Sequence, residues 1–588
     1  MRKFRVAAIQ FEPRLGEVES NRQRMLDLTE RAAGRGCQLI VLPEMATTGY
    51  CFIDRAEIAP LLETIPGPTT QLLSQIAQRH GCHIVVGLGE VERESGLFYN
   101  SAVLIRPDGG TEKSRKVHPF VSDTRWANDG DLGFPAWDTA LGRISVIICM
   151  DAGFFESSRI PCLAGAEVIC MPTNWVQERA PAMDWFTRAV ENSVYLIAAD
   201  RYGEERGVQF SGGSCIIGPR GDLLAWLDTG DGIVEAEIDP GVVGRDRSGA
   251  GALGAHLPRR RPEFYGDLLL NPLLWEMRLA RDLYGHSPLP EGRQFAAAVV
   301  QCEQLPHRDS QFKSVLDECI SQAAGEIGER PGLVVLPELT CTTEPGQAGA
   351  QAESLSGPTS KWAQEIAEKH DLYLVLGLAE LDGEDKYNTA ILMGPEGLIG
   401  RYRKVHLNDA DLTWASPGDE PFRYWDLPIG RVSMLIGTDL LLPEPARVLA
   451  MQGVDLICAP SAMSSPRPLD LAPTRVPLAK EILQRPDVGY WHLWRNRAAE
   501  NNVYLAFANR ADQESMGCSG IFGPDAFEFP LRESVLLGKQ DRTAWLSIDT
   551  RDYPAPGLPN PARFKPMIRM RKPWHYHRLV AGEVRPEG

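Results

Sequence analysis

Glu44, Lys116 and Cys149 each stand where an apolar run ends. Glu44 follows Leu39-Ile-Val-Leu42 across a proline. Lys116 sits in Arg115-Lys-Val-His118, just past a strand and turn. Cys149 ends Ile144-Ser-Val-Ile-Ile148, ahead of Met150-Asp151 and a helix. A thiol at a strand-to-helix turn is placed for nucleophilic attack, because a helix N-terminus favours the thiolate. A carboxylate nearby can take the thiol proton, and a lysine can stabilise the oxyanion that follows. Each residue alone has a plainer reading. A free Cys commonly fills a core as a small hydrophobe, a Glu after Pro caps a turn, and a Lys beside an Arg faces water. Their shared placement and order single out the three together.

The elements that must position them occur twice. Leu39-Ile-Val-Leu-Pro-Glu44 returns as Leu333-Val-Val-Leu-Pro-Glu338, and Gly67-Pro-Thr69 as Gly357-Pro-Thr359. Arg115-Lys-Val-His118 returns as Arg403-Lys-Val-His406, and Arg188-Ala-Val-Glu-Asn192 as Arg497-Ala-Ala-Glu-Asn501. So many short matches in one order at a nearly fixed offset mark a tandem duplication. The first domain is expected over residues 1–287 and the second over 294–580, joined by a short link rich in Pro and Gly. The offset grows past residue 460, which marks an insertion, Ser464–Leu493, carrying five prolines. A loop of that length is expected to be a lid or an interface arm.

Within each copy, short β-branched runs alternate with longer amphipathic stretches. Gln38–Pro43, His83–Leu88, Ser101–Ile105, Ile144–Ile148, Val168–Met171, Tyr195–Ala199 and Cys215–Ile217 read as buried strands. Asn21–Ala33, Thr69–His80 and Asp184–Asn192 read as helices. Such alternation predicts a layered α/β fold with its reactive groups at strand ends and in the following loops.

Composition bounds the function classes. The 588 residues are 43% hydrophobic and 24% charged, the make-up of a globular protein of two large domains. A formal net charge of −17 argues against a nucleic-acid or anionic-membrane partner, which needs a basic face. The N-terminal Met1–Gln10 runs straight into a strand-like pattern, without the apolar stretch of a signal peptide. Single cysteines inside apolar runs and the lack of any CxxC pair fit reduced thiols in a cytoplasmic protein.

Leu42-Pro-Glu-Met-Ala-Thr-Thr-Gly-Tyr50, Arg115-Lys-Val-His118 and Ile148-Cys-Met-Asp-Ala-Gly-Phe-Phe-Glu156 resemble the nitrilase superfamily, whose members share a Glu-Lys-Cys triad. Pro172-Thr-Asn-Trp175 and Arg188–Asn192 extend the resemblance over nearly the whole chain, twice. It implies two tandem αββα sandwich domains, paired as a pseudo-dimer within one chain. It also implies Glu44 as general base, Lys116 as oxyanion stabiliser, Cys149 as nucleophile and the Met150 backbone N–H in the oxyanion hole. Tyr50, Asn174 and Trp175 would line the pocket, with Arg125 and Trp126 as weaker candidates. Many members use a second glutamate after the lysine; that loop has none here. Asp123, seven residues past Lys116 as Asp411 is past Lys404, is the candidate replacement, with a turn-capping Asp as the alternative.

The second copy departs at one decisive position. Both copies place it 33 residues after the lysine (149 − 116 and 437 − 404), and there Gly437 replaces the cysteine. Ala462 and Met463 replace Asn174 and Trp175, while Glu338, Lys404 and Asp411 persist. Covalent catalysis cannot run without the thiol. The expected function is therefore hydrolysis of a non-peptide C–N bond, amide or N-carbamoyl, at one site per chain without metal or organic cofactor. Nitrile hydrolysis by the same triad is the alternative within the class, since true nitrilases usually follow the Cys with Trp-Glu. A non-catalytic ligand sensor or scaffold is the alternative outside it. The expected partner is a small amide, carbamoyl or nitrile compound, with further oligomerisation open.

Overall fold

Strands β1 (Phe4–Gln10), β2 (Leu39–Val41) and β3 (His83–Val91) are almost wholly buried, and the alternation of their side chains explains how. Ala7, Ile9, Ile40, Ile84 and Val86 turn one way, into a core shared with Met25, Leu28 and Ala32 of the helix Val18–Gly34 and Leu73, Ile76 and Ala77 of the helix Pro68–His80. Val6, Ala8, Leu39, Val41 and Val85 turn the other way and are equally buried. A sheet covered on both faces needs such continuous apolar runs. The computed structural model describes residues 3–581 apart from 177–179, 249–252, 271–286, 303–309, 328–330, 343–344, 466–491, 526–532, 537, 540–541 and 554–556. The Ser464–Leu493 insertion falls largely outside these described residues.

The first sheet of the first half has the order β14-β1-β2-β3-β4-β5. Its β4 is Phe98–Ile105, β5 is Thr111–Arg115 and β14 is Gly232–Ile238. Strands β1, β2 and β3 run parallel, and β14, β4 and β5 add on antiparallel. A second six-stranded sheet follows the order β13-β12-β9-β8-β7-β6. These are Leu223–Leu227, Ser214–Ile217, Tyr195–Asp200, Val168–Thr173, Gly142–Val146 and Ala136–Thr139. The two sheets pack face to face through β1, β2, β3 and β8, β9, β12, and Met183–Asn192 packs against β9 and β12. The helix Phe155–Leu163 packs against Met183–Asn192. Each half is a helix–sheet–sheet–helix sandwich, as expected for an α/β fold. The second half repeats it with two six-stranded sheets and the helices Ser310–Ile327, Pro358–His370, Pro443–Met451 and His492–Ala499.

Every strand and helix expected in the first copy lies at an observed one. The sequence reading missed β5, β6, β13 and β14, the edge strands of these two sheets, which are partly exposed. By contacts the chain divides into two compact units. One is Met1–Leu257 together with Arg571–Leu579, and the other is Pro258–Leu471 with Arg485–Met570. The described tail of each half is thus counted with the opposite half's core. These tails are short 3-10 turns that have no sheet partners of their own. They bury Tyr265 and Leu268 in one unit and Tyr576 and Leu579 in the other. Among the described residues no helix is long and apolar enough to cross a membrane.

Candidate active site

Glu44 leaves β2 at the centre of the first sheet, and the chain turns at once, with Met45 at a φ of 49°. That turn needs β3 close behind it. A Cβ on Gly87 would lie 2.5 Å from Glu44 Cα, so only glycine lets the strands approach this far. Lys116 follows β5 and is fixed by its own N–H, which donates to the Asn100 carbonyl of β4 at 2.8 Å. Cys149 ends the β7 segment at a φ of 46°, a left-handed conformation that costs a non-glycine residue about 1–3 kcal/mol. Strain of that kind is kept where the surrounding structure fixes it.

The charged groups form one buried cage. Lys116 Nζ donates to Glu44 Oε1 and to Asp123 Oδ2, each at 2.7 Å. Asn100 Nδ2 bridges the same carboxylates, at 2.6 Å to Glu44 Oε1 and 2.9 Å to Asp123 Oδ1. The Tyr50 hydroxyl donates to Asp123 Oδ2 at 3.1 Å, and the Phe120 N–H donates to the same oxygen at 2.9 Å. The Tyr50 ring lies 5.6 Å from Lys116 Nζ. Asn100 is a member that sequence reasoning missed. An asparagine in Tyr99-Asn-Ser101 looks like any strand residue until the register sets it opposite Gly89, although its return as Asn388 was a readable signal.

Burial governs the electrostatics. It pushes the Glu44 carboxyl up, Asp123 adds to the shift, and Lys116 opposes it. It also pushes the Cys149 thiol up; Glu44 raises it further, while Lys116, Thr173 and the Asn174 N–H favour the thiolate. For Lys116, burial works against the charge but Asp123, Cys149 and Glu44 outweigh it and hold the ammonium well above its ordinary range. Cys149 is therefore a thiol at rest, beside a carboxylate that binds a proton unusually well.

The remaining candidates divide. Asn174 and Trp175 follow β8 beside Cys149; both are buried, and the Trp175 N–H donates to Asp200 Oδ1 at 2.9 Å. Glu44 Oε2, both polar atoms of the Asn174 carboxamide and Trp175 Nε1 have no hydrogen-bond partner among the described residues. Met150 is half-buried in the 3-10 turn Cys149–Gly153. Trp126 packs with Tyr50, Phe52 and Phe210 in a satellite apolar cluster, and Arg125 is exposed. No group of three or more His, Cys, Asp or Glu among the described residues is placed to hold a metal ion.

A family model described as "Carbon-nitrogen hydrolase" matches residues 5–248 and again 296–526. The chain belongs to the carbon–nitrogen hydrolase family. It is 39% identical to a nitrilase of Pyrococcus abyssi over 264 residues, which is 44% of this chain and 98% of that relative. An omega-amidase of Xenopus laevis is 31% identical over 255 residues, 41% of this chain and 90% of the relative. Among solved structures, the NitN amidase from Neterenkonia sp. AN1 is similar at 25% identity with a TM-score of 0.37. It covers 40% of this chain and 93% of its own.

The second half of this carbon–nitrogen hydrolase keeps the cage and lacks the thiol. Lys404 Nζ bonds Glu338 Oε1 and Asp411 Oδ2 at 2.7 Å each, and Asn388 bridges the two carboxylates at 2.7 and 2.8 Å. Gly437 has a φ of 44°, so the turn survives without the strain that Cys149 carries. A Cβ built there would stand 2.7 Å from Glu338 Oε2 and 3.5 Å from Lys404 Nζ. The Thr438 hydroxyl, next in sequence, donates to the His406 carbonyl at 2.6 Å.

Proposed function

We propose that this hydrolase cleaves the C–N bond of a small amide or N-carbamoyl compound through a thioester on Cys149. The observation that supports it is the closed Glu44–Lys116–Asp123–Asn100 cage beside a buried thiol, with Glu44 Oε2 and the buried polar atoms of Asn174 and Trp175 left without partners among the described residues. A carboxamide offers two N–H donors and a carbonyl acceptor, a set matched to the carboxylate oxygen, the Asn174 carboxamide and the indole N–H.

Attack begins with the thiol proton passing to Glu44 as the Cys149 sulfur bonds the carbonyl carbon. Negative charge gathers on the carbonyl oxygen, which Lys116 and the Met150 N–H stabilise. Glu44 returns the proton to nitrogen, the C–N bond breaks, and ammonia or amine leaves an acyl thioester. Glu44 then takes a proton from water, hydroxide adds to the thioester carbon, and collapse restores the thiol as the acid departs. A carboxyl pushed up by burial suits both steps, because catalytic groups work best with pKa values near the operating pH. Asp123 and Asn100 touch Glu44 and Lys116, and hold them in place.

A second reading rests on the nitrilase of Pyrococcus abyssi among the relatives: the same thiol would add across a nitrile carbon instead. Ammonia release from a panel of amides, N-carbamoyl amino acids and nitriles separates the two. Mass spectrometry of Cys149 under turnover is expected to show the acyl adduct. An enzyme that binds these compounds without adduct or ammonia would be a sensor, and the proposal would fall.

A further inference from the structure

A short motif recurs outside the main strands and helices, as Arg260-Arg-Pro-Glu-Phe-Tyr265 and Arg571-Lys-Pro-Trp-His-Tyr576. The later segment belongs to the compact unit that holds Cys149. Arg571, Tyr576 and Leu579 are fully buried there. Arg571 Nε donates to Glu156 Oε1 at 2.8 Å, in a pair with no exposure on either side. Lys572 Nζ reaches Asp129 Oδ2 at 2.5 Å.

Two chains of contacts lead from this segment to the reacting groups. Tyr576 Oη lies 2.8 Å from His118 Nε2, and His118 Nδ1 lies 2.8 Å from Asp151 Oδ1. The Asp151 carboxylate accepts the N–H of His118 at 3.0 Å and of Ile148 at 3.1 Å. It therefore ties the backbone two residues past Lys116 to the backbone one residue before Cys149. The His118 ring is stacked on Phe154 at 3.8 Å, so its plane is set. Separately, His575 Nε2 meets the Gly130 carbonyl at 3.1 Å, and the Gly130 N–H donates to the Lys116 carbonyl at 2.8 Å.

The Tyr576 oxygen also accepts the Lys572 N–H at 3.0 Å, so the hydroxyl that meets His118 is itself held by its own turn. We propose that Tyr576 is a positioning residue for the Cys149 site: by fixing His118 it lets Asp151 clamp the lysine loop and the nucleophile turn in one geometry. The inference rests on the proposed thiol chemistry, and it assigns a working part of that site to a segment 427 residues downstream (576 − 149). The second unit repeats the device: Tyr265 Oη is 3.0 Å from His406 Nε2, and His406 Nδ1 is 2.8 Å from Asp439 Oδ1. The turn braced there carries Gly437, so Tyr265 serves no nucleophile.

That symmetry supplies the test. Tyr576→Phe and Tyr265→Phe in the full chain each remove one hydroxyl from a Tyr–His–Asp chain, with Asp439 in the second also accepting the Tyr402 hydroxyl at 2.9 Å. Three quantities are read: Tm, kcat and KM on the best amide of the panel, and the rate at which iodoacetamide alkylates Cys149, followed on its peptide by mass spectrometry. Both variants are expected to lower Tm alike. Only Tyr576→Phe is expected to lower kcat, by about ten-fold or more with KM within about two-fold, and to change the alkylation rate, as misplacement of reacting groups does. Should Tyr576→Phe not fold, His118→Asn retains a donor for Asp151 while dropping the link to Tyr576, and is read in the same way. Wild-type kcat and alkylation in the variant, or equal losses in Tyr265→Phe, would overturn the proposal. Alkylation needs no turnover, so a wild type that hydrolyses no amide defeats the proposed function while the positioning comparison still decides this one.

Discussion

The proposed role of Glu44 as a base requires it ionised, yet burial and the neighbouring Asp123 both favour its protonated form. Activity is expected to fall as pH drops through this raised pKa, so the acid limb of kcat/KM lies above the ordinary carboxylate range. Asp123→Asn removes a negative charge that raises Glu44; the acid limb is therefore expected to move to lower pH. The variant also loses a partner of Lys116, and turnover is expected to drop by about 10²-fold, the low end for acid–base groups. A pH–rate profile with an unmoved limb and an unchanged rate would leave Asp123 as a turn cap. Cys149→Ala is expected to abolish ammonia release and Cys149→Ser nearly so, because a hydroxyl is a far poorer nucleophile here. Glu44, Lys116 and Cys149 were legible because reactive residue types at the ends of apolar runs are unusual. Asn100 was marked only by its return as Asn388, since its bonds to Glu44 and Asp123 arise only once the strands are placed.

At the scale of elements, glycines set how closely the strands and turns can approach. Gly87→Ala would place a methyl group 2.5 Å from Glu44 Cα and 2.8 Å from the Pro43 carbonyl. Overpacking of this kind costs about 1–3 kcal/mol, and here it also displaces the base. A lowered Tm together with a lost kcat is expected; loss of one without the other would separate strand spacing from catalysis. In the second half, Glu338 reaches toward the position a cysteine would need, and Ala462 and Met463 stand in for Asn174 and Trp175. Gly437→Cys in a Cys149→Ala background is therefore expected to recover no ammonia release, which the same panel would check. The central strands were legible from continuous apolar runs. Polar edge strands such as Thr111–Arg115 were not, because only their pairing with β4 makes them strands.

At the scale of the whole molecule, the unit that holds Cys149 is completed by Arg571–Leu579. Residues 1–287 expressed alone would lack Arg571 opposite Glu156 and Tyr576 against His118. Removing one partner of a buried ion pair costs about 3–5 kcal/mol, so the fragment is expected to be insoluble, self-associating or far less active. Sedimentation of the fragment and turnover per Cys149 would measure this; a monomeric, fully active fragment would contradict it. The duplication was readable from repeated motifs. The reach of Arg571–Leu579 was not, because nothing local in Arg-Lys-Pro-Trp-His-Tyr says which core will bury it.

The long sequence separation between Cys149 and Tyr576 also has a consequence in time. A ribosome adds roughly 5–20 residues per second, so the segment that braces Cys149 emerges roughly 20–85 s after the cysteine itself. During that interval the nascent chain already carries Cys149, Glu44 and Lys116, but the proposed clamp between their loops is unfinished. Until that segment has emerged, the proposed brace on His118 is missing and the loops around Cys149 are expected to stay unclamped. Nascent chains stalled before residue 571 are expected to leave Cys149 with altered reactivity, which alkylation of the tethered chain would detect.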